Sequence, residues 1–355
     1  MYPVKILVLP GDGIGPEITT ATLAVLARAN SRYELGLEWQ IEPISFATLK
    51  TEGTTLPPRV MEAVSTAAGV ILGPISYLDY PARSEGGINV SSEFRVKMDL
   101  YANIRPAKSR LGVGLTGKPV DLVIVRECTE GFYSDRNMHM GSGEFMPTEG
   151  VAIAMRRITA KCCSRIARRA FEMAMQRRRK VTAVHKANAL RISDSLFLSE
   201  VRKVAKDFPE VELEERIIDA TAALLLRDPM RFDVIVTTNL FGDILSDEAS
   251  ELAGSIGLAA SVMVGEDLCV AQAQHGTALG RAGLDTANPS SLILSAAMLL
   301  EWLGRHHKNA ALSKAAVQIE TAVDSVLQNP MTRTSDLGGK CGTQAFAKAV
   351  AERLG

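Results

Sequence analysis

NLFGDILSD, residues 239–247, sets Asp243 and Asp247 four positions apart immediately after the β-forming run FDVIVTT. On a helix those carboxylates share one face, where like charges cost about 0.2–0.5 kcal/mol. Holding a cation is the chemistry that offsets such a cost. IIDA (217–220) supplies a third carboxylate, Asp219, behind another strand-like run. Three carboxylates with substrate oxygens describe a site for a hard divalent ion, Mg²⁺ or Mn²⁺, and the scarcity of His and Cys nearby speaks against zinc. The competing reading of the pair is a helix N-terminal turn, where the macrodipole favours acids. Spacing alone does not separate the two.

Cationic and proton-transferring groups are placed to serve the same cleft. Arg105 in NIRP (103–106) and Arg126 in VRECTEGFY (125–133) fall at or just past strand ends, and Arg95 lies ten residues before Arg105. Guanidinium grips carboxylate through two parallel hydrogen bonds, so three of them form a clamp for an acid with two or more carboxylates. Singly, each reads as a surface ion pair. Tyr133 delivers a proton if its hydroxyl faces that cleft; otherwise it is a core tyrosine. Lys186 in HKAN (185–188) ends a strand, and a lysine leaving a buried strand beside other cations would be suited to act as a base. LPGDGIGPEI (9–18) reads G-x-G-x-G rather than G-x-G-x-x-G. No acid closes an obvious second strand about twenty residues on, so a Rossmann site is not indicated. Its glycines still permit close backbone approach, and Pro16 suits the start of a helix.

These side chains hang on short apolar runs. VKILVLP, GVILGP (69–74), VDLVIVR (120–126), KVTAVHK (180–186) and FDVIVTT (232–238) read as buried parallel strands. Between them PEITTATLAVLARA, ITAKCCSRIARRAFEMAMQR, SDSLFLSEVRKVAKDF and the stretch from 290 onward read as helices. The alternation predicts an α/β protein with a mainly parallel sheet. With no internal repeat and no long linker, a second lobe must be joined to the first by several chain crossings. Segment 134–150, SDRNMHMGSGEFMPTEG, reads as a mobile loop or as an arm pairing with a second subunit. RRRK (177–180) reads as the solvated C-terminus of a helix.

Composition narrows the partners. In 355 residues, 40 Lys and Arg balance 40 Asp and Glu, so no net field draws the chain to nucleic acid or an anionic membrane. SLILSAAMLLEWLG is too short and too polar to span a bilayer, and the N-terminus lacks signal-peptide character. Five cysteines without metal-ligand spacing suit a reducing compartment. The expected location is the cytoplasm, and the expected partner is a small molecule.

Taken together, LPGDGIGPEI, DLYANIRPAKS, VRECTEGFY, HKANALRISDSLF, FDVIVTTNLFGDILSDEASELAGSIGLA, HGTA with ANP, and RTSDLGG resemble the β-decarboxylating dehydrogenases. That family includes the isocitrate, homoisocitrate, 3-isopropylmalate and tartrate/D-malate dehydrogenases. The resemblance runs nearly end to end. It implies a two-lobed, non-Rossmann α/β fold with a mostly parallel sheet and an interlobe cleft. Residues 1–100 with 250–355 are then the cofactor lobe. Residues 101–249 form the metal, substrate and dimerisation lobe, with an arm near 134–150. It further implies a homodimer with shared active sites, or a higher oligomer built from it. Arg95, Arg105 and Arg126 resemble the substrate arginines, Tyr133 the proton donor and Lys186 the lysine serving the hydroxyl proton. Asp219, Asp243 and Asp247 resemble the metal ligands, with Lys186 and Asp219 reaching in from a second subunit. Asn188 joins the substrate set. His275, Gly276, Thr277, Ala278, Arg281 and Asn288 match the cofactor loop.

Two departures bear on specificity. Isopropylmalate enzymes carry two leucines before the first arginine, where this chain has Ser91 and Ser92 in NVSSEFR. Serines leave an isopropyl group without apolar contact, a loss of about 1–3 kcal/mol. A polar, tricarboxylic substrate of the isocitrate/homoisocitrate type is therefore expected, with isopropylmalate, tartrate or D-malate as alternatives. Glu93 either contributes to that specificity or points away into solvent. In HGTALGRAG (275–283), the family's NAD enzymes have an aspartate where Gly280 stands, and NADP enzymes have lysine and tyrosine at 280 and 281. NAD is the expected cofactor, and Arg281 makes NADP the alternative. A non-catalytic subunit or binding protein of the same fold is the rival reading, against which the retained lysine, tyrosine and aspartates argue.

Overall fold

Apolar runs too short for a buried helix become strands, and the longer amphipathic runs between them become helices that cover the sheet. The computed structural model describes residues 3–114, 117–133 and 135–355. Its strands are β1 (Val4–Leu9), β2 (Leu37–Ile41), β3 (Gly69–Leu72), β4 (Ala102–Lys108), β5 (Asp121–Glu127) and β6 (Glu144–Thr148). They continue with β7 (Val151–Ala154), β8 (Lys180–His185), β9 (Glu212–Ile217), β10 (Val234–Thr237), β11 (Val262–Val264) and β12 (Cys269–Gln272). The helices are α1 (Gly15–Tyr33), α2 (Phe46–Glu52), α3 (Pro58–Thr66), α4 (Val90–Lys97), α5 (Ala160–Ala174) and α6 (Ser193–Ala205). After them come α7 (Ile218–Arg227), α8 (Asn239–Ala253), α9 (Ser290–His306), α10 (Ala310–Gln328) and α11 (Thr343–Arg353).

One large sheet runs in the order β2-β1-β3-β12-β11-β4-β5-β10-β8-β9. β11 pairs antiparallel with β12 and β4, and β4 pairs antiparallel with β5; the other pairings in this sheet are parallel. The two parallel blocks therefore point in opposite directions, joined by antiparallel strands that bear Arg105 and Arg126. This order is not that of a dinucleotide-binding Rossmann sheet.

Strand periodicity sends alternate residues of β5 to opposite faces. Val123 and Val125 enter the core shared with α5, while Leu122 and Ile124 pack with Leu245, Ala249 and Leu252 of α8. Arg126 follows the second set and meets α8. Gly242 makes that contact possible, because a Cβ there would lie 2.7 Å from Cβ and Cγ of Arg126. SLILSAAMLLEWLG lies in α9, almost wholly buried. Its serines are satisfied locally: Ser291 Oγ donates to Ala259 O, and Ser295 Oγ donates to Ser291 O at 2.7 Å. Among the described residues no helix is long and apolar enough to cross a membrane.

Two expectations change, and the segment between them gains a defined form. Arg105 lies inside β4 rather than at its end, paired across from Ile124. Segment 134–150 contains the start of an exposed antiparallel hairpin, β6–β7; Ser134 is outside the described residues. The basic stretch 177–180 is not simply solvated. Arg177 holds the buried Asp233 at 2.8 Å and Asp121 at 2.6 Å, and the Arg178 amide donates to Asp233 at 2.8 Å. A buried carboxylate requires such partners.

Candidate active site

β5 delivers Arg126, and the turn after it brings Tyr133 back over the same guanidinium. That turn is tied by the buried carboxylate of Glu127, which accepts from the amides of Thr129 at 2.7 Å and Glu130 at 3.1 Å. Arg126 is 1% exposed and donates through Nη2 to the Tyr133 hydroxyl at 2.8 Å. Its Nε and Nη2 also meet Asn239 Oδ1 at 2.9 and 2.7 Å, and its Nη1 pairs with Asp243. Tyr133 donates in turn to Asp243 Oδ2 at 2.7 Å. The Arg136 guanidinium stacks on the same ring, 4.9 Å from its centroid.

Arg105 reaches the cluster from the neighbouring strand. Its Nη1 lies 3.1 Å from Asp243 Oδ1, 3.4 Å from Asp247 Oδ1 and 2.7 Å from Ser246 Oγ. Asn103 Oδ1 fixes its Nε at 2.6 Å. Burial, reinforced by the charge of Arg126, lowers the Arg105 pKa to about 10. Arg95, on α4, is likewise lowered by burial and by Arg126 and Arg136. The three guanidiniums repel one another, and Arg105 and Arg126 are both balanced by Asp243. Burial opposes the charge on Asp243, yet Arg126 and Arg105 outweigh it and hold its carboxyl below the usual range. Burial, followed by the Asp243 charge, pushes the Tyr133 hydroxyl up to about 12. The tyrosine is therefore protonated at neutral pH, the state a proton donor needs.

Asp243 and Asp247 occupy one face of α8 as their spacing predicts, and Asp247 accepts from Gln274 Nε2 at 2.6 Å. Asp219 and Lys186 are elsewhere. Lys186 follows β8, Asp219 sits in the first turn of α7, and Nζ meets Oδ1 at 2.6 Å. No group of three metal-ligating side chains forms among the described residues. A single chain thus brings the tyrosine, two aspartates and the arginines together, but not Lys186 or Asp219. Asn188 is exposed in the turn after Lys186.

On α4, Asn89 caps the helix by accepting from the Ser92 amide at 3.0 Å. Ser91 meets Gln272, and Ser92 meets Asp135. Glu93 is not solvated: it is 8% exposed and held by Arg83 at 3.1 Å and Lys97 at 2.8 Å. Its role is to fasten α4 to the loop carrying Arg83.

The glycine-rich turn braces the cofactor loop. A Cβ on Gly13 would lie 2.2 Å from Thr277 O, and the Ile14 amide donates to that oxygen at 2.9 Å. Asp12 is a structural tie, accepting from the amides of Phe46 at 3.1 Å and Ser76 at 3.0 Å, and from Tyr80. His275 Nε2 is buried without a hydrogen-bond partner among the described residues. Gly276, Ala278 and Arg281 are exposed. Asn288 spends its amide internally, donating to Asp336 at 3.0 Å and accepting from the Ser290 amide at 3.0 Å. Sequence reasoning missed Asn239, Ser246 and Gln274, which orient the charged groups. Asn239 and Ser246 stand four before and three after Asp243, so helical spacing was the available signal.

An α/β protein with clustered arginines and a tyrosine meeting one of two paired helix carboxylates is thus defined. A family profile for isocitrate/isopropylmalate dehydrogenase matches residues 5–350. The 3-isopropylmalate dehydrogenase of Methanothermobacter thermautotrophicus is 40% identical over 100% of this chain and 99% of its own. The isocitrate/homoisocitrate dehydrogenase of Thermus thermophilus is 41% identical over 99% and 98%. The isocitrate dehydrogenase structure from Methylococcus capsulatus superimposes with a TM-score of 0.87 at 36% identity, covering 99% of both chains. The chain belongs to the isocitrate/isopropylmalate dehydrogenase family, and its fold is that of the family.

Proposed function

We propose that this protein oxidatively decarboxylates a (2R)-2-hydroxy acid bearing a β-carboxylate, using Mg²⁺ or Mn²⁺ and passing hydride to NAD(P)⁺. The observation that carries this reading is the meeting of Tyr133, Arg105 and Arg126 at Asp243 in a chain matched end to end by a dehydrogenase family.

The residues present fit a hard cation. Asp243 and Asp247 offer only oxygen donors from one helix face, and both retain solvent-exposed surface, with side chains 37% and 53% exposed. Asp219, also exposed, would complete the set from a second copy of the chain, so the active unit is a homodimer. The cofactor fits the loop around His275, whose Nε2 has no internal partner. When bound, the cation polarises the C2 oxygen and the nicotinamide accepts the hydride. The chain's own residues do the rest. Arg95, Arg105 and Arg126 hold the malate-type carboxylates. Lys186 of the second copy takes the C2 hydroxyl proton, and Tyr133 gives a proton to the substrate carbon after carbon dioxide leaves. The homologues' names span isopropylmalate and isocitrate/homoisocitrate. Ser91 and Ser92 argue for a polar substituent over isopropyl. NAD is the preferred reading, with NADP open through the exposed Arg281.

The test is absorbance at 340 nm with Mn²⁺, NAD⁺ or NADP⁺ and a panel of isocitrate, homoisocitrate, isopropylmalate, D-malate and tartrate. Cation-dependent reduction with carbon dioxide release supports the proposal. Tight acid binding with no turnover on any substrate rejects it in favour of a binding protein.

A further inference from the structure

Lys186 is pinned at its backbone and projects its side chain outward. Its carbonyl accepts from the amides of Ala189 at 2.9 Å and Leu190 at 2.8 Å, which closes the turn after β8. Its own amide donates to Asp194 Oδ2 in the first turn of α6. Asp194 is fully buried, and its other oxygen pairs with Nη1 of the buried Arg156. The Lys186 side chain stays partly exposed and ends on Asp219.

Arg156 follows β7 of the exposed hairpin and joins this turn to the cluster around Asp243. Nη1 also meets Ser193 Oγ at 2.8 Å, and Nη2 donates to Thr238 Oγ1 at 3.0 Å. Thr238 stands where a threonine ordinarily caps a helix, yet it makes no side-chain cap hydrogen bond to α8, and its hydroxyl oxygen accepts from Arg156 instead. The guanidinium lies 5.7 Å from the ring centroid of Phe132 and 5.5 Å from that of Phe241. Phe132 precedes Tyr133, and Phe241 stands two before Asp243. One buried cation thus touches the start of α6, the start of α8 and the turn that carries Tyr133. The macrodipole disfavours a cation at a helix N-terminus, and desolvation offsets much of the attraction in a buried ion pair. The arrangement is a poor source of stability and a good source of fixed geometry.

We infer that Asp194 and Arg156 are positioning residues for Lys186. They set the reach of the lysine that one subunit lends to its partner's site, through the same guanidinium that braces the subunit's own α8 and Tyr133. The inference rests on the proposed reading in which Lys186 serves a second copy of the chain. A misplacement of about 1 Å costs about 100-fold in rate, while the groups that bind the acid stay where they are.

The experiment measures kcat and KM at 340 nm with Mn²⁺ and the best acid of the panel. Wild type, Asp194→Asn and Arg156→Lys are compared, each checked for dimer formation and melting temperature. Asp194→Asn is expected to lose about 100-fold in kcat with KM changed less than about threefold. Arg156→Lys keeps the charge beside Asp194 but not the fork to Ser193 and Thr238, and is expected to lose about tenfold. Co-expressed chains then locate the defect. Asp194→Asn with Asp243→Asn is expected to recover roughly a quarter of wild-type activity, since half the dimers carry one intact shared site. Asp194→Asn with Lys186→Met is expected to recover none, because both chains then lend a defective lysine. The reverse pattern places the effect in the subunit's own site and overturns the inference. So do unchanged kcat in both variants, and losses that merely track the amount of folded dimer in every pairing. Should Asp194→Asn fail to form dimers, the same pairings made with Arg156→Lys decide the matter. Lys186→Met with Asp243→Asn is the control. Recovery there beside a reversed pattern overturns the positioning inference alone, whereas no recovery there, or no turnover by the wild type, overturns the shared-site reading with it.

Discussion

Asp243 and Asp247 are expected to answer differently to the same substitution. Asp243→Asn keeps the shape of the side chain but removes the charge that offsets Arg105 and Arg126, whose side chains are 9% and 2% exposed. Stripping one partner from a fully buried ion pair costs about 3–5 kcal/mol. Asp243 is 37% exposed, and its amide replacement can still accept a hydrogen bond, so screening and the surviving contact reduce the cost to about 1–3 kcal/mol. Asp247 is 53% exposed and lies 3.4 Å from Arg105. Asp247→Asn should therefore cost only about 0–0.5 kcal/mol. Function should not follow stability. Each variant loses a carboxylate oriented at the proposed cation, and each should lose Mn²⁺ affinity and about 10²–10³ or more in kcat/KM. Urea unfolding, calorimetric Mn²⁺ titration and the 340 nm assay separate the two effects. Equal destabilisation of both variants contradicts the assigned contacts, and wild-type Mn²⁺ binding in either contradicts the assigned metal face.

Other predictions follow from the same geometry. Tyr133 has a folded pKa raised to about 12, above the ordinary 10 for an unfolded tyrosine. Its contribution to stability is thus full below about pH 10 and is lost as pH rises to about 12; Tyr133→Phe should abolish that alkaline decline and cut carbon dioxide release while sparing Mn²⁺ affinity. The Glu93 carboxyl is lowered by Lys97 and Arg83 against the opposing effect of burial. Its stabilisation is present above the ordinary carboxylate range and lost as pH falls through the lowered value. Glu93→Gln should cost about 1 kcal/mol at neutral pH, given its exposed partners, and the deficit should shrink in acid denaturation curves. Finally, Lys186→Met and Asp243→Asn should each be inactive. Mixed in one dimer population, they should restore roughly a quarter of wild-type activity, since half the dimers would carry one intact shared site; no recovery contradicts a shared site.

The sequence made some parts of this molecule legible and hid others for definable reasons. Buried parallel strands such as Val234–Thr237 announce themselves as unbroken apolar runs, and the i, i+4 aspartates announce a helix face. β2, with exposed Glu38 and Ile41, and the short β11 carry no comparable pattern. The arginines were visible as residue types, but Arg105 inside an antiparallel strand was not, because sequence does not show which strand lies beside which. The polar groups that aim them, Asn103 and Asn239, resemble ordinary strand and cap residues until the fold closes. The partner of Ser92 was hidden for the same reason: Asp135, which accepts its hydrogen bond, is 43 positions away.

The most direct test of the cation claim is anomalous diffraction from crystals soaked in manganese. One peak per chain is predicted, bound by Asp243 and Asp247 of that chain and Asp219 of a second. Manganese bound elsewhere, or a dimer in which those three carboxylates cannot reach one ion, contradicts the account.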